Sequence, residues 1–585
     1  MLVIAAILGI GSLSNCAANK KMAPTMTTEQ APGLARRTPQ LIFSTYLGGS
    51  LPFVPGSALT FAQNAACDAQ GNTYVTGATT VADLPVLHAY QASPAAGSTM
   101  SAFVAKYNPA GQPLWCTYLG GNNQSMGVGV AAMPNGGVVV VGITTSDASF
   151  PTSKAYQPQN NGQSDYFVTV FGANGTLQYS TYLGGSKIEG LVEVQPPNFP
   201  DDSNSGNSVA VDAAGLVYVA GMTTSGGGSG ETIFPVTANA LQNYLAGTRN
   251  ACLCIIDPTQ SGQNSLVYSS FLGGDHDTQG HSVAVNPSGS NITVAGFTTS
   301  LNLPTTPNAY RSTAPPGGFA PNCSNGFVTQ FQSSLPGSKD SVYTMPYSTY
   351  LGADSSTARD DVYGMTLDPT GLIVATGRTQ SAGFPMTQGG PTIFNSAPYL
   401  QEGVSGDQPY LAKINPSLNG TASLVYSTFL GGGNQDGTWG SFCTSVGVDT
   451  RGAVYVAGET NAQGAAYNPS NLTAPQEFPY TPDALLTALQ GDCDALFMQI
   501  APGGATLGYS TYLGGTLNDR TYGLAVDPNR NVILTGLTFS SNFPLKNPAQ
   551  TYPGNGSQNA FVTKFSAQVV NPGAINGALL LLLTD

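Results

Sequence analysis

Two of the three histidines in this 585-residue chain stand in one short stretch, Asp275-His276-Asp277-Thr278-Gln279-Gly280-His281. Imidazole and carboxylate groups are ligands that zinc and related ions accept. A His-x4-His spacing at the entrance to a strand, however, fixes no tetrahedral geometry. Asp275, His276, Asp277 and His281 are therefore the candidate metal ligands, with solvated turn residues as the competing reading. Acidic residues recur in similar places: Glu189, Glu193, Asp201, Asp202, Asp354, Asp360, Asp361, Asp436 and Asp519. Hard cations such as calcium want several oxygen ligands at once, so calcium is the one cofactor these stretches suggest.

No catalytic constellation is present in the sequence. There is no His-Glu-x-x-His, no Gly-x-Ser-x-Gly elbow and no phosphate-cradling glycine loop before a helix. No residue is assigned a catalytic or cofactor-binding role. Two carboxylates meeting across a central opening would suit glycosidic chemistry. Trp439, Tyr467 and Tyr480 could stack on a sugar or simply cover the base of a loop. The eight cysteines raise the question of disulfides. Cys67 and Cys116 fall about 14 Å apart and Cys443 and Cys493 about 10 Å, at roughly 4.8 Å per strand, beyond disulfide reach. Cys252 and Cys254 point in parallel from one strand. Most cysteines read as small buried hydrophobes, with a bridge at Cys323 as the alternative.

Whatever positions these residues is repetitive. The hexapeptide Ser44-Thr45-Tyr46-Leu47-Gly48-Gly49 returns, with small variations, at Cys116, Ser180, Ser269, Ser348, Ser427 and Ser510. After each copy comes a loop, then an alternating run closed by an acid or amide and a turn, as in Ser208-Val209-Ala210-Val211-Asp212 before Gly215. A second strand ends in Gly-x-Thr in all seven units, from Gly77 and Thr79 to Gly536 and Thr538. An apolar-Pro pair follows, at Pro85 and its six counterparts. A third strand resembles Ala102-Phe103-Val104-Ala105-Lys106, and a fourth contains the next hexapeptide.

Each unit thus holds four strands, A to D. Asp and Gly close the A–B hairpin, because Asp bonds its own backbone and Gly accepts the left-handed conformation. Proline cannot donate to a ladder, so the chain leaves the sheet after strand B. Repeated four-stranded antiparallel units are the blades of a propeller. The first hexapeptide lacks A, B and C before it, and the last is followed by A, B and C but no D. The expected fold is all-β: a single seven-bladed propeller over 41–565, whose N-terminal strand pairs with the C-terminal three strands and leaves no open edge. Charged residues make up only 8% of the chain and net charge is −13, with no Lys/Arg cluster. That excludes nucleic acid as a partner.

The combined motif, Tyr-Ser-Thr-Tyr-Leu-Gly-Gly, Val-Ala-Val-Asp-x-x-Gly, Val-Tyr-Val-x-Gly-x-Thr and Phe-Pro, resembles the bacterial seven-bladed β-propeller repeat known as SBBP. Met133 in place of the second turn's Asp and Arg530 in place of the last turn's Gly predict less regular turns there. The resemblance implies an exported bacterial protein, often at the cell surface, and carries no catalytic residues with it. Residues 1–16, with Leu13-Ser14-Asn15-Cys16 behind a short apolar run, resemble a lipoprotein signal whose Cys16 becomes lipidated. A plain secretory signal is the alternative. Residues 17–40 read as a flexible tether and 566–585 as a tail, both Ala578–Leu583 and 2–10 being too short to span a bilayer.

A–B turns are tight, while insertions fall in the B–C connections 224–249, 380–408 and 461–492 and in the D–A loop 186–207. Long loops on a rigid scaffold tend to carry binding residues. The expectation is an exported, surface-anchored monomer that binds a glycan or protein through its B–C/D–A face, touching the membrane only by its lipid. A polysaccharide lyase or hydrolase and a calcium-stabilised structural propeller are the alternatives.

Overall fold

Alternating apolar strands joined by glycine-closed turns assemble, in the computed structural model, into seven four-stranded antiparallel sheets. The structure describes residues 39–53, 58–147, 149–190, 208–315, 323–355, 357–381, 383–387, 393–394, 406–433, 440–468, 470, 477–554 and 558–567. Cys16 with the signal-like segment, the tether up to 38, Glu193, Asp201, Asp202, Asp436, Trp439 and the tail from 568 lie outside them. No helix among the described residues is long and apolar enough to cross a membrane.

Blade 1 has strands A to D at Thr60–Cys67, Thr73–Thr79, Ser101–Tyr107 and Pro113–Leu119, and blades 2 to 6 occupy 125–183, 209–272, 278–351, 360–429 and 442–513. Blade 7 takes A, B and C from Asp519–Val526, Val532–Thr538 and Asn559–Phe565. Its outer strand is Leu41–Leu47, paired antiparallel from Leu41↔Phe565 to Leu47↔Ala560. The ring therefore closes as its two orphan ends require. B and C strands such as Val138–Thr144 and Asp165–Phe171 are buried along their whole length. Blades stack face to face, so an interior strand has no solvent side.

In blade 3 the insertion lies elsewhere than the sequence placed it. Glu189 already bridges to Thr223 of strand B, so strand A begins there and resumes at Val209–Val211. The notional D–A loop 186–207 thus contains a strand-A residue at Glu189, and residues 191–207 lie outside the described residues. Glu189 stands four residues after Gly185, the spacing that also separates Gly121 from Ser125, Gly274 from Thr278 and Gly515 from Asp519. That spacing was the available signal.

The hexapeptide is a clamp. After leaving strand B, each B–C connection turns along the outer edge of strand D and is fastened there. The hexapeptide serine donates to the proline carbonyl, as Ser44 to Pro544 at 2.6 Å and Ser180 to Pro151 at 2.7 Å. The next residue's hydroxyl accepts a backbone N–H, from Gln91 at Thr117 and from Gln157 at Thr181. The tyrosine donates to the start of the connection, as Tyr46 to the Ser540 carbonyl at 2.7 Å and Tyr118 to that of Val81 at 2.9 Å. Each buried bond is worth about 1 kcal/mol, and the strap covers the exposed ladder of an edge strand. This corrects the loop argument: much of each B–C connection lies on the blade's outer side, not on the B–C/D–A face.

A second staple joins blade to blade at the A–B turns. Asp68 receives the backbone N–H of Gln70 and Asn72 on one oxygen, while its other oxygen meets the Tyr74 hydroxyl at 3.2 Å and Lys106 at 3.7 Å. Tyr74 also donates to the carbonyl of Gly136, in the turn of blade 2, at 2.8 Å. The expected irregularity at the two departures is absent. Gly136 N–H still bonds the Met133 carbonyl at 3.0 Å. Arg530 takes φ +65° and keeps its turn bond to Asp527 at 2.7 Å, because neighbouring strands over-determine the hairpin.

Candidate functional site

At the B–C/D–A end of every blade, the threonine of Gly-x-Thr is tied to the first residue of strand A. The hydroxyl pairs are Thr60–Thr79 at 2.8 Å, Ser125–Thr144 at 2.9 Å, Thr278–Thr298 at 2.9 Å and Ser441–Thr460 at 2.6 Å. In the other three blades the partner is a carboxyl group: Glu189 with Thr223 at 2.7 Å, Asp360 with Thr379 at 2.6 Å, and Asp519 with Thr538. In sequence these acids read either as calcium ligands or as solvated turn residues. They are buried, because strand A begins one residue deep inside the inter-blade contact.

Two of these acids meet a second carboxyl from the neighbouring blade. Glu189 lies against Asp165 at the start of strand C in blade 2, and Asp519 against Asp494 in blade 6. Both pairs converge on a hexapeptide glycine: a Cβ on Gly184 would lie 2.3 Å from Asp165 Oδ1 and 2.7 Å from Glu189 Oε2. On Gly514 it would lie 2.5 Å from Asp494 Oδ1 and 2.8 Å from Asp519 Oδ2. Burial pushes the Asp165 carboxyl up to about 8, helped by the charge of Glu189 and opposed by the N–H of Asn161. Glu189 moves upward for the same reason. Burial likewise raises Asp494 to about 7, Asp360 to about 7 and Asp519 to about 6. Two carboxyls this close oppose each other's ionisation, which adds to the effect of burial.

Nearer the axis the seven blades divide. The x of Gly-x-Thr and the second residue of strand A are apolar in blades 1 and 2, including Phe61, Ala78, Met126 and Ile143. Blades 5 to 7 place ions there. Asp361 is wholly buried, accepts from Arg359 at 2.7 Å, Arg378 at 3.1 Å and Ser324 at 2.6 Å, and Arg378 continues to Asp407 at 3.4 Å. Burial alone would raise Asp361, but the two guanidinium groups hold it below the usual carboxylate range. Glu459 pairs with Arg520 of the next blade at 3.2 Å. Arg359 keeps 32% of its side chain exposed and lies over the Phe297 ring at 5.7 Å.

Below this layer, among the described residues, six inner strands carry a bulge, and the extra residue is Gln63, Val128, His281, Tyr363, Thr444 or Tyr522. All six are buried. His281 stacks on Tyr363 at 5.6 Å and sets Nδ1 3.2 Å from the Val362 carbonyl.

That position separates His281 from its sequence neighbours. Asp275 and His276 form an exposed pair at 3.1 Å on the loop, and Asp277 bonds Thr248. Among the described residues no three His, Cys, Asp or Glu side chains gather to hold a metal ion. The physical reason is the bulge, which turns His281 into the blade stack. The cysteines from 67 to 493 are free thiols. Cys323 makes no bridge, and Cys493 directly precedes strand C, which begins at Asp494. Tyr467 packs edge-on against Phe394 at 6.1 Å and covers the loop base.

Residues 508–544 match the SBBP β-propeller repeat. No curated protein matches the chain. Among solved structures, a luciferin-regenerating enzyme is 10% identical, with 70% of this chain and 86% of that one covered and a TM-score of 0.27. A protein of unknown function from Dyadobacter fermentans is 12% identical, with 75% and 94% covered and a TM-score of 0.32. A puromycin hydrolase is 10% identical, with 84% and 53% covered and a TM-score of 0.35.

Proposed function

We propose that this seven-bladed propeller, which bears the SBBP β-propeller repeat, is an exported binding or scaffold module that holds a glycan or protein at its B–C/D–A face. One observation carries the reading. The acids that hydrolytic chemistry would use are tied into the polar layer between blades, on threonine hydroxyls and backbone N–H groups such as Gly515 to Asp519 at 2.6 Å. Of the ionic layer it is Arg359 that reaches solvent, 32% exposed over the buried Phe297 ring, with Arg378 and Asp407 buried beneath it. An accessible guanidinium suits hydroxyl-rich or acidic partners. The Leu13–Cys16 pattern supports export and a lipid anchor, and mass spectrometry of the mature N-terminus tests that part.

The full chain on a glycan array, with Arg359→Ala as control, tests the binding part. Capture lost or weakened at least fivefold in the variant supports the reading. No captured glycan or purified envelope protein, or capture indifferent to Arg359→Ala, sinks it.

A second reading, a polysaccharide hydrolase or lyase, is favoured by the Asp165–Glu189 pair alone. Paired carboxyls with separated proton affinities are what such chemistry requires. Turnover of a polysaccharide that disappears in Asp165→Asn would select it.

A further inference from the structure

Six of the seven A–B turns close on Asp or Asn, and five use an acid to grip a Tyr or Lys of the same blade. Asp212 meets Tyr218 at 2.9 Å, Asp368 meets Lys413 at 2.6 Å, Asp449 meets Tyr455 at 3.1 Å and Asp527 meets Lys564 at 2.9 Å, besides Asp68 in blade 1. Blade 2 has Met133, Val139 and Val170 at the three corresponding positions. No polar staple forms there, and the next blade's turn glycine, Gly215, faces Met133 Cε instead. At this junction a cleft of about 650 Å³ opens on the face opposite the proposed binding surface. Its apolar wall is Met133, Pro134, Val170, Leu177 and Pro258, with Lys154 on its lining.

We infer that this cleft is a binding site for a small amphipathic carboxylate, such as a medium-chain fatty acid. The volume falls in the range of small-ligand pockets, roughly 300–1,000 Å³. The apolar wall takes the chain and the Lys154 ammonium takes the carboxylate. Among the described residues Lys154 forms no ion pair with an acid, and its backbone is held at φ +53°, with the carbonyl receiving the Gly262 N–H at 3.0 Å. The lysine is thus anchored at the cleft edge with its charge unspent. Blade 4 lacks the grip too, with Asn286, Thr293 and Gln330 at these positions, but it keeps polar side chains there, whereas blade 2 is apolar at all three.

Titration calorimetry on the full chain with sodium decanoate and with 1-decanol tests this. Decanoate should bind saturably at one site. Lys154→Gly, which suits the left-handed backbone, should weaken decanoate about fivefold or more, the worth of an exposed ion pair, and leave decanol within twofold. Met133→Asp with Val170→Lys rebuilds the staple and should abolish both. No saturable decanoate binding, or binding unchanged in Lys154→Gly, overturns the inference. If the double variant fails to fold, Leu177→Gln replaces it, with the same loss expected.

Discussion

Lys564 and Asp527 face each other at 2.9 Å with each side chain only 1% exposed, and the same ammonium donates to the Gly71 carbonyl of blade 1 at 3.1 Å. The ion pair lies within blade 7, where the last blade meets the first, and the Lys564–Gly71 bond carries it across the seam to a residue 493 positions away in the chain. The outer strand Leu41–Leu47 ties the same seam through backbone bonds.

Lys564→Ala leaves Asp527 buried without its cation. Loss of one partner of such a pair costs about 3–5 kcal/mol, whereas Lys564→Met with Asp527→Leu should cost much less. Denaturant melts of the two variants check this. Equal losses would mean that the charge pair is not what holds the seam.

The buried acids make stability depend on pH in a definite direction. With Asp165 pushed up to about 8 against about 4 in the unfolded chain, the fold keeps a proton that the unfolded chain has released. That contribution is full below about pH 4, declines as pH rises, and is gone above about pH 8. Asp494, Asp360 and Asp519 act in the same sense up to about 7, 7 and 6. Asp361 acts oppositely, losing its contribution only as pH falls below the ordinary carboxylate range. Melting temperature should therefore fall from pH 5 to pH 8, and less steeply in Asp165→Asn. A rise over that interval contradicts the assignment.

Gly184→Ala drives a methyl into both carboxyls of the Asp165–Glu189 pair. Overpacking of this kind costs about 1–3 kcal/mol. Gly230→Ala, which meets nothing within 4 Å but carries φ +79°, should cost only its backbone strain of about 1 kcal/mol. Thermal melts that rank the two the other way would remove the steric argument for the hexapeptide glycine.

Tyr118→Phe removes a hydroxyl that donates to Val81 and accepts from Leu84 at 3.0 Å. Both groups left behind are buried, so about 1–3 kcal/mol is lost. Hydrogen exchange should rise first along 81–91, the strap that this tyrosine pins. A uniform change across blade 1 would argue against a local clamp.

Arg530→Gly relieves a left-handed backbone at φ +65°. The strain is about 1–2 kcal/mol and glycine's extra chain entropy returns part of it, so a gain of about 0.5–1 kcal/mol is expected in a denaturant melt.

The blade count, the strand order and the closing pairing of Leu41–Leu47 were legible in the residues, because alternation, turn glycines and the orphan strands at each end are local or countable features. The hexapeptide, by contrast, revealed its recurrence and concealed its purpose: Ser44 meets Pro544 and Tyr46 meets Ser540 only after the ring has closed. Glu189 looks like a loop acid in sequence and Asp165 draws no notice at all, and nothing in their neighbours announces that two blades bury them together. His281 looked like the partner of His276 until the bulge turned it inward.

Composition and periodicity by themselves determined the kind of fold and how it ends, since period-two burial and hairpin chemistry act over a few residues. Which carboxyls are buried against each other, which arginines hold Asp361, and which junction opens a cleft were decided by the packing of one blade on the next. Those contacts pair residues far apart in the chain, and their energies depend on desolvation that no local stretch contains.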